Sequence, residues 1–341
     1  MTTARLELTR DQILAHRRSV GALEERLPPG PESLRCATWA GLQDSAPRAA
    51  VLSIHARVNG TGPDTWADQS LVQLWGPRFA VYVIAAPDLA VFSLSRLPEG
   101  GEARHRADDL ARRLNAFLDG RRMSCSDAGH ALGVHPNSLR YAAATGTVLI
   151  RWDGARQPPV WTVPPPDDDP RDARMELARR YLHVFGPATP ESFAHWAGIR
   201  PRAAGRVAFD ALGDSLAPVR TPIGDAWILA CDEPTFRGPG RPAAPARLLP
   251  SGDAYWLQDG ADRELLVPDP DGRRRLWTPR VWPGAVLVAG EIVGTWRRAQ
   301  SDVTIESWRR LSPAEREAVE AEASSMPLPG IRQGIRVSWG D

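Results

Sequence analysis

Thr38-Trp-Ala-Gly-Leu-Gln-Asp-Ser-Ala-Pro-Arg-Ala-Ala-Val-Leu-Ser-Ile-His-Ala-Arg57 is the stretch on which the fold depends, because two degenerate copies of it recur further along the chain. The copies are Ala131-Leu-Gly-Val-His-Pro-Asn-Ser-Leu139 and His195-Trp-Ala-Gly-Ile-Arg-Pro-Arg-Ala-Ala204. In each, a glycine follows a short helical segment and a proline begins the next one. Glycine readily takes the left-handed conformation that ends a helix, and proline suits a first helical turn. The pattern predicts three helix-turn-helix units, and the first carries the additional turn residues Gln43-Asp44-Ser45.

A β-hairpin is predicted after each pair of helices, which is the element order of a winged helix. The second helices of units two and three are predicted at Pro136–Ala144 and Pro201–Leu212. The three hairpins are predicted from apolar runs separated by turn residues, at Leu71–Trp75 with Val81–Ile84, Thr147–Trp152 with Val160–Val163, and Ala217–Arg220 with Ala226–Ala230. We expect the third hairpin to turn at Gly224-Asp225.

From Arg247 onward the apolar residues alternate with a period of two, which predicts short strands. The expected strands are Leu265–Val267, Arg275–Thr278, Ala285–Ala289, Glu291–Trp296 and Ile335–Trp339, with a helix at Pro313–Ala323 and a hairpin turn at Asp271-Gly272. The predicted fold class is therefore α+β. It has three tandem winged-helix units over residues 1–100, 101–166 and 167–236, followed by a β-rich C-terminal module over residues 237–341.

Composition and charge limit the classes of function that are possible but do not identify one. The chain has 341 residues, of which 43% are hydrophobic and 24% charged, so it can bury a sizeable core. A net charge of +1 argues against a generally basic nucleic-acid coat, although a local basic groove stays compatible with it. All 42 Lys and Arg residues are arginine, the residue that forms bidentate contacts with phosphate and guanine. A GC-rich coding bias is the favoured explanation of this arginine usage, ahead of selection for phosphate contacts.

The remaining composition predicts a cytoplasmic protein without cofactors. The three cysteines, Cys36, Cys125 and Cys231, are widely spaced and include no Cys-x-x-Cys pair, so neither a disulfide framework nor a zinc site is expected. The seven histidines lack metal-ligand spacing, and no Gly-rich phosphate loop is present, so no metal and no cofactor are predicted. No signal-peptide core and no run of about 18 apolar residues occur. We expect a monomer without a membrane partner.

The segment Gly41-Leu-Gln-Asp-Ser-Ala-Pro-Arg-Ala-Ala50 resembles the AlkZ/YcaQ family of winged-helix DNA glycosylases, in which Gly-Leu-Gln-x-Gln or Gly-Leu-Gln-x-Asp precedes the same helix. Further matches follow in the same order over nearly the whole chain. They are Leu71-Val-Gln-Leu-Trp-Gly-Pro-Arg78, Asp88, Leu248-Leu-Pro250 with Asp253, Arg263, and Val286-Leu-Val-Ala-Gly-Glu-Ile-Val-Gly-Thr-Trp-Arg297.

The resemblance implies three winged helices curved around a DNA-binding cleft, with double-stranded DNA, alkylated or not, as the partner. It also implies excision of alkylated or crosslinked purines by hydrolysis of the N-glycosidic bond. In the family, two side chains flanking the variable motif residue hold the attacking water. Gln43 matches the first of them, and Ser45 stands where the second Gln or Asp belongs.

A second family segment, Arg-Gly-Thr-x-His, is only partly kept. Arg78 matches its arginine, whereas Phe79, Ala80 and Tyr82 replace the glycine, threonine and histidine. The departures from the family pattern therefore fall in both segments that the resemblance connects with the reaction.

Gln43, Asp44 and Ser45 are the candidate catalytic residues. A carboxamide such as Gln43 orients a water but is a poor base, and Asp44 next to it would supply a proton acceptor. Ser45 can hydrogen-bond a water but reaches less far than glutamine. The alternative is that the three residues form a polar turn in which Asp44 or Ser45 caps the following helix.

The candidate DNA-binding residues are basic or amide side chains on the motif helix, the other predicted second helices and the hairpins. They are Arg48, His55, Arg57, Arg78, Asn137, Arg140, Arg202, Arg273, Arg274, Arg275 and Arg297. For His55 a structural role is an equal alternative, and the cluster Arg273-Arg274-Arg275 beside a protruding turn is also typical of solvated surface.

Two hypotheses of different classes remain open. The first is a DNA glycosylase that acts in DNA repair. The second is a non-catalytic winged-helix DNA-binding protein that acts as a lesion sensor or transcriptional regulator. Fold alone does not choose between them, because one fold supports both functions.

Overall fold

A computed structural model describes residues 5–44, 48–152, 157–201, 203–328, 330–331 and 334–340. These residues form a mixed α+β fold in which helices pack against three sheets. None of the helices in this part of the chain is long and apolar enough to cross a membrane.

The first hundred residues contain the motif and the first predicted hairpin. The elements are β1 (Leu6–Glu7), α1 (Arg10–Val20), α2 (Pro31–Ala37), β2 (Leu42–Gln43), α3 (Ala49–His55), β3 (Leu71–Trp75), β4 (Val81–Ala85) and α4 (Leu89–Ser93). Thr9 caps α1 in a capping box with Gln12. The strand β2 was not predicted: it lies between the two helices of the first unit and replaces a simple helix-turn-helix turn.

The next segment has the predicted order of two helices and a hairpin. Its elements are α5 (Gly101–Leu118), β5 (Met123–Ser124), α6 (Cys125–Ala131), a 3₁₀ helix over Pro136–Thr145, β6 (Val148–Ile150) and β7 (Pro159–Thr162). Ser124 accepts a hydrogen bond from the Asp127 amide at the start of α6. The segment after Pro136 is thus helical, with the tighter 3₁₀ geometry.

The third segment also follows the prediction. Its elements are α7 (Pro170–Phe185), α8 (Pro190–Ala197), α9 (Ala203–Leu212), β8 (Leu216–Thr221), β9 (Gly224–Leu229) and α10 (Glu233–Arg237). The predicted turn at Gly224-Asp225 is wrong, because Gly224 already pairs with Thr221 and the hairpin turns at residues 222–223.

In the C-terminal segment, two of the predicted strands are wrong. Its elements are β10 (Ala246–Leu249), α11 (Asp262–Leu266), α12 (Pro270–Leu276), β11 (Gly284–Val288), β12 (Glu291–Ala299), β13 (Asp302–Ser307), α13 (Pro313–Ser324) and β14 (Arg336–Trp339). Leu265–Val267 and Arg275–Thr278 are not strands, since most of their residues lie at the ends of α11 and α12. Asp271-Gly272 is not a hairpin turn, because Asp269 caps α12 and Pro270 occupies its first turn.

Pairing between strands connects segments that the sequence pattern treats separately. The six-stranded sheet has the order β2-β4-β3-β6-β7-β5 and joins the first two hairpins through the pairing of Gln73 with Ile150. The sheet β1-β8-β9 joins the N-terminal strand to the third hairpin, and β10 to β14 form the last sheet in chain order. The motif strand β2 is therefore the edge of a sheet shared by the first two hairpins.

Three glycines confirm the punctuation of the repeated motif. Gly41, Gly133 and Gly198 have φ values of 72°, 67° and 68°, the left-handed region that favours glycine. At Gly198 space is restrictive as well, because an added Cβ would lie 2.9 Å from the backbone nitrogen of Arg78. The end of α8 consequently packs directly on the turn between β3 and β4.

One extended buried cluster supports the motif strand. Leu42 from β2 and Tyr82 from β4 belong to it, together with Tyr181, Phe193 and Trp196 from α7 and α8. The first and third segments thus share a core, which fixes β2 and the end of α8 relative to each other.

Candidate functional site

The motif residues Gln43 and Asp44 project to opposite faces of one strand. Gln43 pairs with Tyr82, and Leu42 pairs with Val83. The Asp44 amide extends this ladder by donating to the carbonyl oxygen of Val81 at 2.8 Å. Because successive strand residues alternate between faces, Gln43 shares a face with Tyr82, and Asp44 does not.

Asp44 is fully buried and has partners for both carboxylate oxygens. Its Oδ1 accepts a hydrogen bond from the Ala50 amide at 3.0 Å, and its Oδ2 accepts one from Nε2 of Gln73 at 3.0 Å. Burial raises the pKa of Asp44 to about 6, and the hydrogen bond from Ala50 and the charge of Arg48 partly oppose that rise. Asp44 therefore acts as a cap for α3, the alternative role stated above, and lies away from the Gln43 face.

The face of Gln43 carries two buried polar atoms. Within the described residues, Oε1 of Gln43 is buried and has no hydrogen-bond partner, and the buried hydroxyl of Tyr82 interacts by hydrogen bonding with Arg78 alone. The Tyr82 ring fills the space above Gly41 and Gly76, where an added Cβ would come within 2.9 Å and 2.8 Å of it. Burial raises the pKa of Tyr82, so its hydroxyl stays a neutral donor at physiological pH.

Arg48 ties the motif to the second hairpin instead of facing solvent. Its backbone is left-handed, with φ 65°, and its Nη1 donates to the carbonyl oxygen of Trp152 at 2.8 Å. Its guanidinium carbon lies 3.5 Å from the ring centroid of Trp66. Gln73 completes this connection, because its Oε1 accepts the Trp152 amide at 2.7 Å. Arg48 is thus buried against the second hairpin, and its contact with DNA stays a prediction.

His55 and Arg57 lie in the interior, in contrast to the predicted DNA-facing position. Nε2 of His55 is 3.0 Å from the Ser325 hydroxyl, and burial lowers the pKa of His55 to about 4, with a further contribution from Arg26. Arg57 forms a bidentate ion pair with Asp253, with two N···O distances of 2.8 Å. Both residues attach α3 to the C-terminal segment, which leaves them no surface for a phosphate.

The arginine cluster lies on a helix and not on a protruding hairpin. Arg273 is half-buried and donates to the carbonyl oxygens of Val267 and Pro268. Arg274 is exposed and pairs with Asp271, and Arg275 is exposed. The cluster ends α12, where arginine also complements the helix dipole.

The other candidate DNA-binding residues are distributed over the surface. Arg78, Asn137 and Arg297 are exposed. Arg140 is half-buried, with its guanidinium 5.3 Å from the Phe79 ring centroid. Ser45 and Arg202 lie outside the described residues.

A cleft of about 450 Å³ begins at α3 and extends to the C-terminal sheet. Ala49 and Leu52 of α3 line it together with Trp282, Trp296 and Arg297. Aromatic rings beside arginine provide stacking surface and phosphate contacts in nucleic-acid sites. The first segment and the C-terminal segment together thus form a concave site next to the motif.

The sequence analysis gave no site role to Gln73, Tyr82 or Trp282. Gln73 is a polar residue within the apolar strand Leu71–Trp75, and a buried polar residue in a strand generally has specific partners. A glutamine within an apolar strand is therefore a signal that could have identified Gln73 from the sequence. The position of Tyr82 opposite Gln43 depends on the pairing of β2 with β4, which the sequence pattern did not predict.

Comparison with known proteins gives three findings. The family model described as DNA glycosylase AlkZ-like matches residues 37–327. The interstrand DNA cross-link repair glycosylase of Streptomyces sahachiroi is 26% identical over 159 residues, which cover 46% of this chain and 42% of that relative. The solved structure of Streptomyces sahachiroi DNA glycosylase AlkZ superposes with a TM-score of 0.78 at 19% identity and covers 98% of this chain and 100% of that chain. The sequence match to the curated relative thus spans less than half of its length, and the structural match shows a common fold.

Proposed function

Because the chain belongs to the AlkZ-like DNA glycosylase family, we propose that it binds double-stranded DNA and hydrolyses the N-glycosidic bond of alkylated or crosslinked purine nucleotides. Water attacks the sugar carbon while the bond to the base nitrogen breaks, and its electron pair leaves with the base. The products are an abasic site, a free base and a proton released to solvent. An alkylated purine already carries positive charge, so the reaction needs a well-placed water more than a strong acid or base.

Gln43 is the residue we assign to water placement. The observation that carries this assignment is its half-buried carboxamide, whose Oε1 has no partner within the described residues. Tyr82 lies on the same face and would add a neutral hydroxyl to the same water. Ser45 keeps its predicted minor contribution, since its hydroxyl can hydrogen-bond a water but reaches less far than a carboxamide.

Asp44 receives a different role from the one that the sequence suggested. Its oxygens are held by Ala50 and Gln73, and it lies on the other face of the strand. We therefore assign Asp44 to positioning: it fixes the start of α3 relative to the strand that carries Gln43. A proton acceptor for the attacking water is not required when the leaving base is cationic.

DNA would lie along the cleft between α3 and the C-terminal sheet. We propose that Arg297 contacts the backbone there and that Arg78, Asn137 and Arg140 contact it elsewhere, as the arginine-rich composition favours. Arg273, Arg274, Arg275 and Arg202 stay proposed phosphate contacts. The chain would act as a cytoplasmic monomer.

Three winged-helix units are the proposed architecture, over residues 1–100, 101–166 and 167–236. The helices α8 and α9 followed by the hairpin β8–β9 support the third unit. The left-handed glycines Gly41, Gly133 and Gly198 support the same glycine punctuation in all three units. Residues 237–341 form the proposed C-terminal module.

A non-catalytic DNA-binding protein is the second candidate, and one observation favours it. Tyr82 replaces the family histidine and fills the space above Gly41 and Gly76 with its ring. A lesion sensor would bind DNA with the same surfaces and leave the glycosidic bond intact.

An excision assay separates the two candidates. Duplex DNA with a single N7-methylguanine is incubated with the chain, and abasic sites are converted to strand breaks by alkali. The glycosylase proposal expects breaks at the lesion only, above the level of spontaneous depurination. A mobility shift without added strand breaks would favour the lesion sensor.

A further inference from the structure

Alternating arginine and tryptophan side chains extend from the start of the motif helix to the second hairpin. The guanidinium carbon of Arg48, which immediately precedes α3, lies 3.5 Å from the ring centroid of Trp66, and that of Arg151 lies 4.5 Å from the same centroid. In the second segment, the guanidinium carbon of Arg122 lies 4.3 Å from the ring centroid of Trp161. We call Arg122, Arg151, Trp66 and Trp161 the arginine–tryptophan row, which Arg48 connects to the motif.

Strand pairing places two members of the row side by side on the second hairpin. Trp161 of β7 pairs with Leu149 of β6, and the amide of Arg151 continues the pairing by donating to the Pro159 carbonyl oxygen. Alternate residues of a strand project to the same face, so Arg151 and Trp161 are diagonal neighbours on one face. Arg122 lies over Trp161 and immediately precedes β5, the edge strand of the same sheet.

The row concentrates positive charge. Within the part of the chain that the structure describes, neither Arg122 nor Arg151 forms an ion pair with a carboxylate. Burial lowers the pKa of Arg151, and the nearby charges of Arg122 and Arg48 lower it further. Like charges that are held together without a counter-charge destabilise the folded state. This arrangement therefore indicates an anionic partner.

Stacking on tryptophan leaves guanidinium edges available to such a partner. A guanidinium that lies over an indole ring keeps its N–H donors in its own plane, where a phosphate can accept two hydrogen bonds at once. Arg122 is exposed and has no hydrogen-bond partner among the described residues. Arg151 is half-buried, and its Nη1 donates to the Trp66 carbonyl oxygen at 3.0 Å. The rings thus orient both arginines before a ligand binds.

We propose that Arg122 and Arg151 bind neighbouring phosphates of one DNA strand, so that the arginine–tryptophan row extends the DNA surface from the cleft at α3 onto the second hairpin. Ala49 lines that cleft and follows Arg48 directly in the chain, so the row begins where the cleft ends. This continuity favours DNA over an acidic peptide as the partner. The inference rests on the proposed DNA binding and not on base excision.

Titrations of an undamaged duplex at several salt concentrations test the row. Arg122→Gln should weaken binding about threefold to tenfold at about 0.1 M salt and reduce the slope of log affinity against log salt by about one. Arg122→Lys keeps the charge but loses the planar fork, so it should keep the slope and lose only part of the affinity. Arg310→Gln, at an exposed arginine of the C-terminal segment, is the control and should bind like the natural chain.

Fluorine NMR of the full chain labelled with 5-fluorotryptophan reports on the row itself. The Trp161 signal is assigned from Trp161→Phe, and that of Trp227, an exposed residue of the third hairpin, from Trp227→Phe. We expect the duplex to shift the Trp161 signal to saturation and to leave the Trp227 signal unchanged. Inorganic phosphate tests a site for a free anion, and polyglutamate tests a site for an acidic peptide.

Three results would overturn the proposal. They are a Trp161 signal that stays unchanged at high duplex concentration, equal salt slopes for Arg122→Gln and Arg310→Gln, and a Trp161 signal that saturates at a lower concentration of phosphate or polyglutamate than of duplex. Because the duplex is undamaged, a chain that shows the expected slopes but excises no base contradicts only the glycosylase proposal. Excision by a chain whose Arg122→Gln variant binds DNA normally contradicts only the proposal for the row.

Discussion

Gln73 holds Asp44 through a hydrogen bond of 3.0 Å from its Nε2 to Oδ2, and the same carboxamide accepts the Trp152 amide at 2.7 Å. One side chain on β3 thereby connects the motif to the second hairpin. Since Asp44 also caps α3, the position of the motif depends on a residue 29 positions away in the sequence.

Gln73→Met should lower the free energy of unfolding by about 2 kcal/mol or more, because it leaves a buried oxygen of Asp44 and the Trp152 amide without partners. Chemical denaturation at pH 7 measures the change. Gln69→Met is the matched control, since it makes the same substitution at an exposed glutamine on the same stretch of chain. Equal stability of the two variants would mean that the Gln73 bridge contributes nothing.

Asp44 should make stability fall as pH rises from about 4 to about 6. Its folded pKa, about 6, lies above the unfolded value of about 3.9, so the folded state binds the proton more tightly within this window. The loss is at most about 3 kcal/mol and is complete above the folded pKa. Asp44→Asn does not titrate, so the stability difference between the natural chain and this variant should change across the window and level off above it. A difference that is independent of pH would contradict the raised pKa.

Arg57→Met should destabilise the fold by about 3–5 kcal/mol, because the buried Asp253 loses the partner for its charge. If Arg57 instead contacted a DNA phosphate, the change would weaken DNA binding and leave stability almost unaltered. Thermal unfolding and a DNA titration on the same preparation distinguish the two outcomes. The double variant Arg57→Met with Asp253→Leu should regain part of the loss.

Arg297→Ala should weaken DNA binding and reduce the slope of log affinity against log salt by about one, because one phosphate contact fewer releases one counterion fewer. Arg112→Ala is a control of equal charge change on the exposed side of α5. Titration of duplex DNA at several salt concentrations gives both slopes. An identical slope for the Arg297 and Arg112 variants would remove Arg297 from the interface.

Local signals predicted much of the fold. Gly41 and Gly198 adopt the left-handed conformation that their positions indicate, and the threonines that cap helices, Thr9 and Thr189, are a residue type typical of caps. The error at residues 265–278 has a physical cause: Asp269-Pro270 is a cap followed by a first helical turn, and that signal outweighs a short alternation of apolar residues.

The site itself was less accessible from sequence because its contacts are distant along the chain. The ion pair between Arg57 and Asp253 spans 196 positions, and nothing local at Arg57 distinguishes a buried arginine from a surface one. The opposite orientation of Gln43 and Asp44 follows from strand β2, which has only two residues and lacks a periodic signal. Tertiary pairing therefore decided which motif residue shares a face with Tyr82.

The most direct test compares base excision by the natural chain, Gln43→Ala and Ser45→Gln on duplex DNA that carries one N7-methylguanine. Loss of a water-positioning group costs roughly 10²–10⁴-fold in rate. We predict that Gln43→Ala loses excision by that factor with DNA affinity nearly unchanged, and that Ser45→Gln, which restores the family pattern, excises faster than the natural chain. Excision that survives in Gln43→Ala at the natural rate would contradict the account and move the reaction away from the motif.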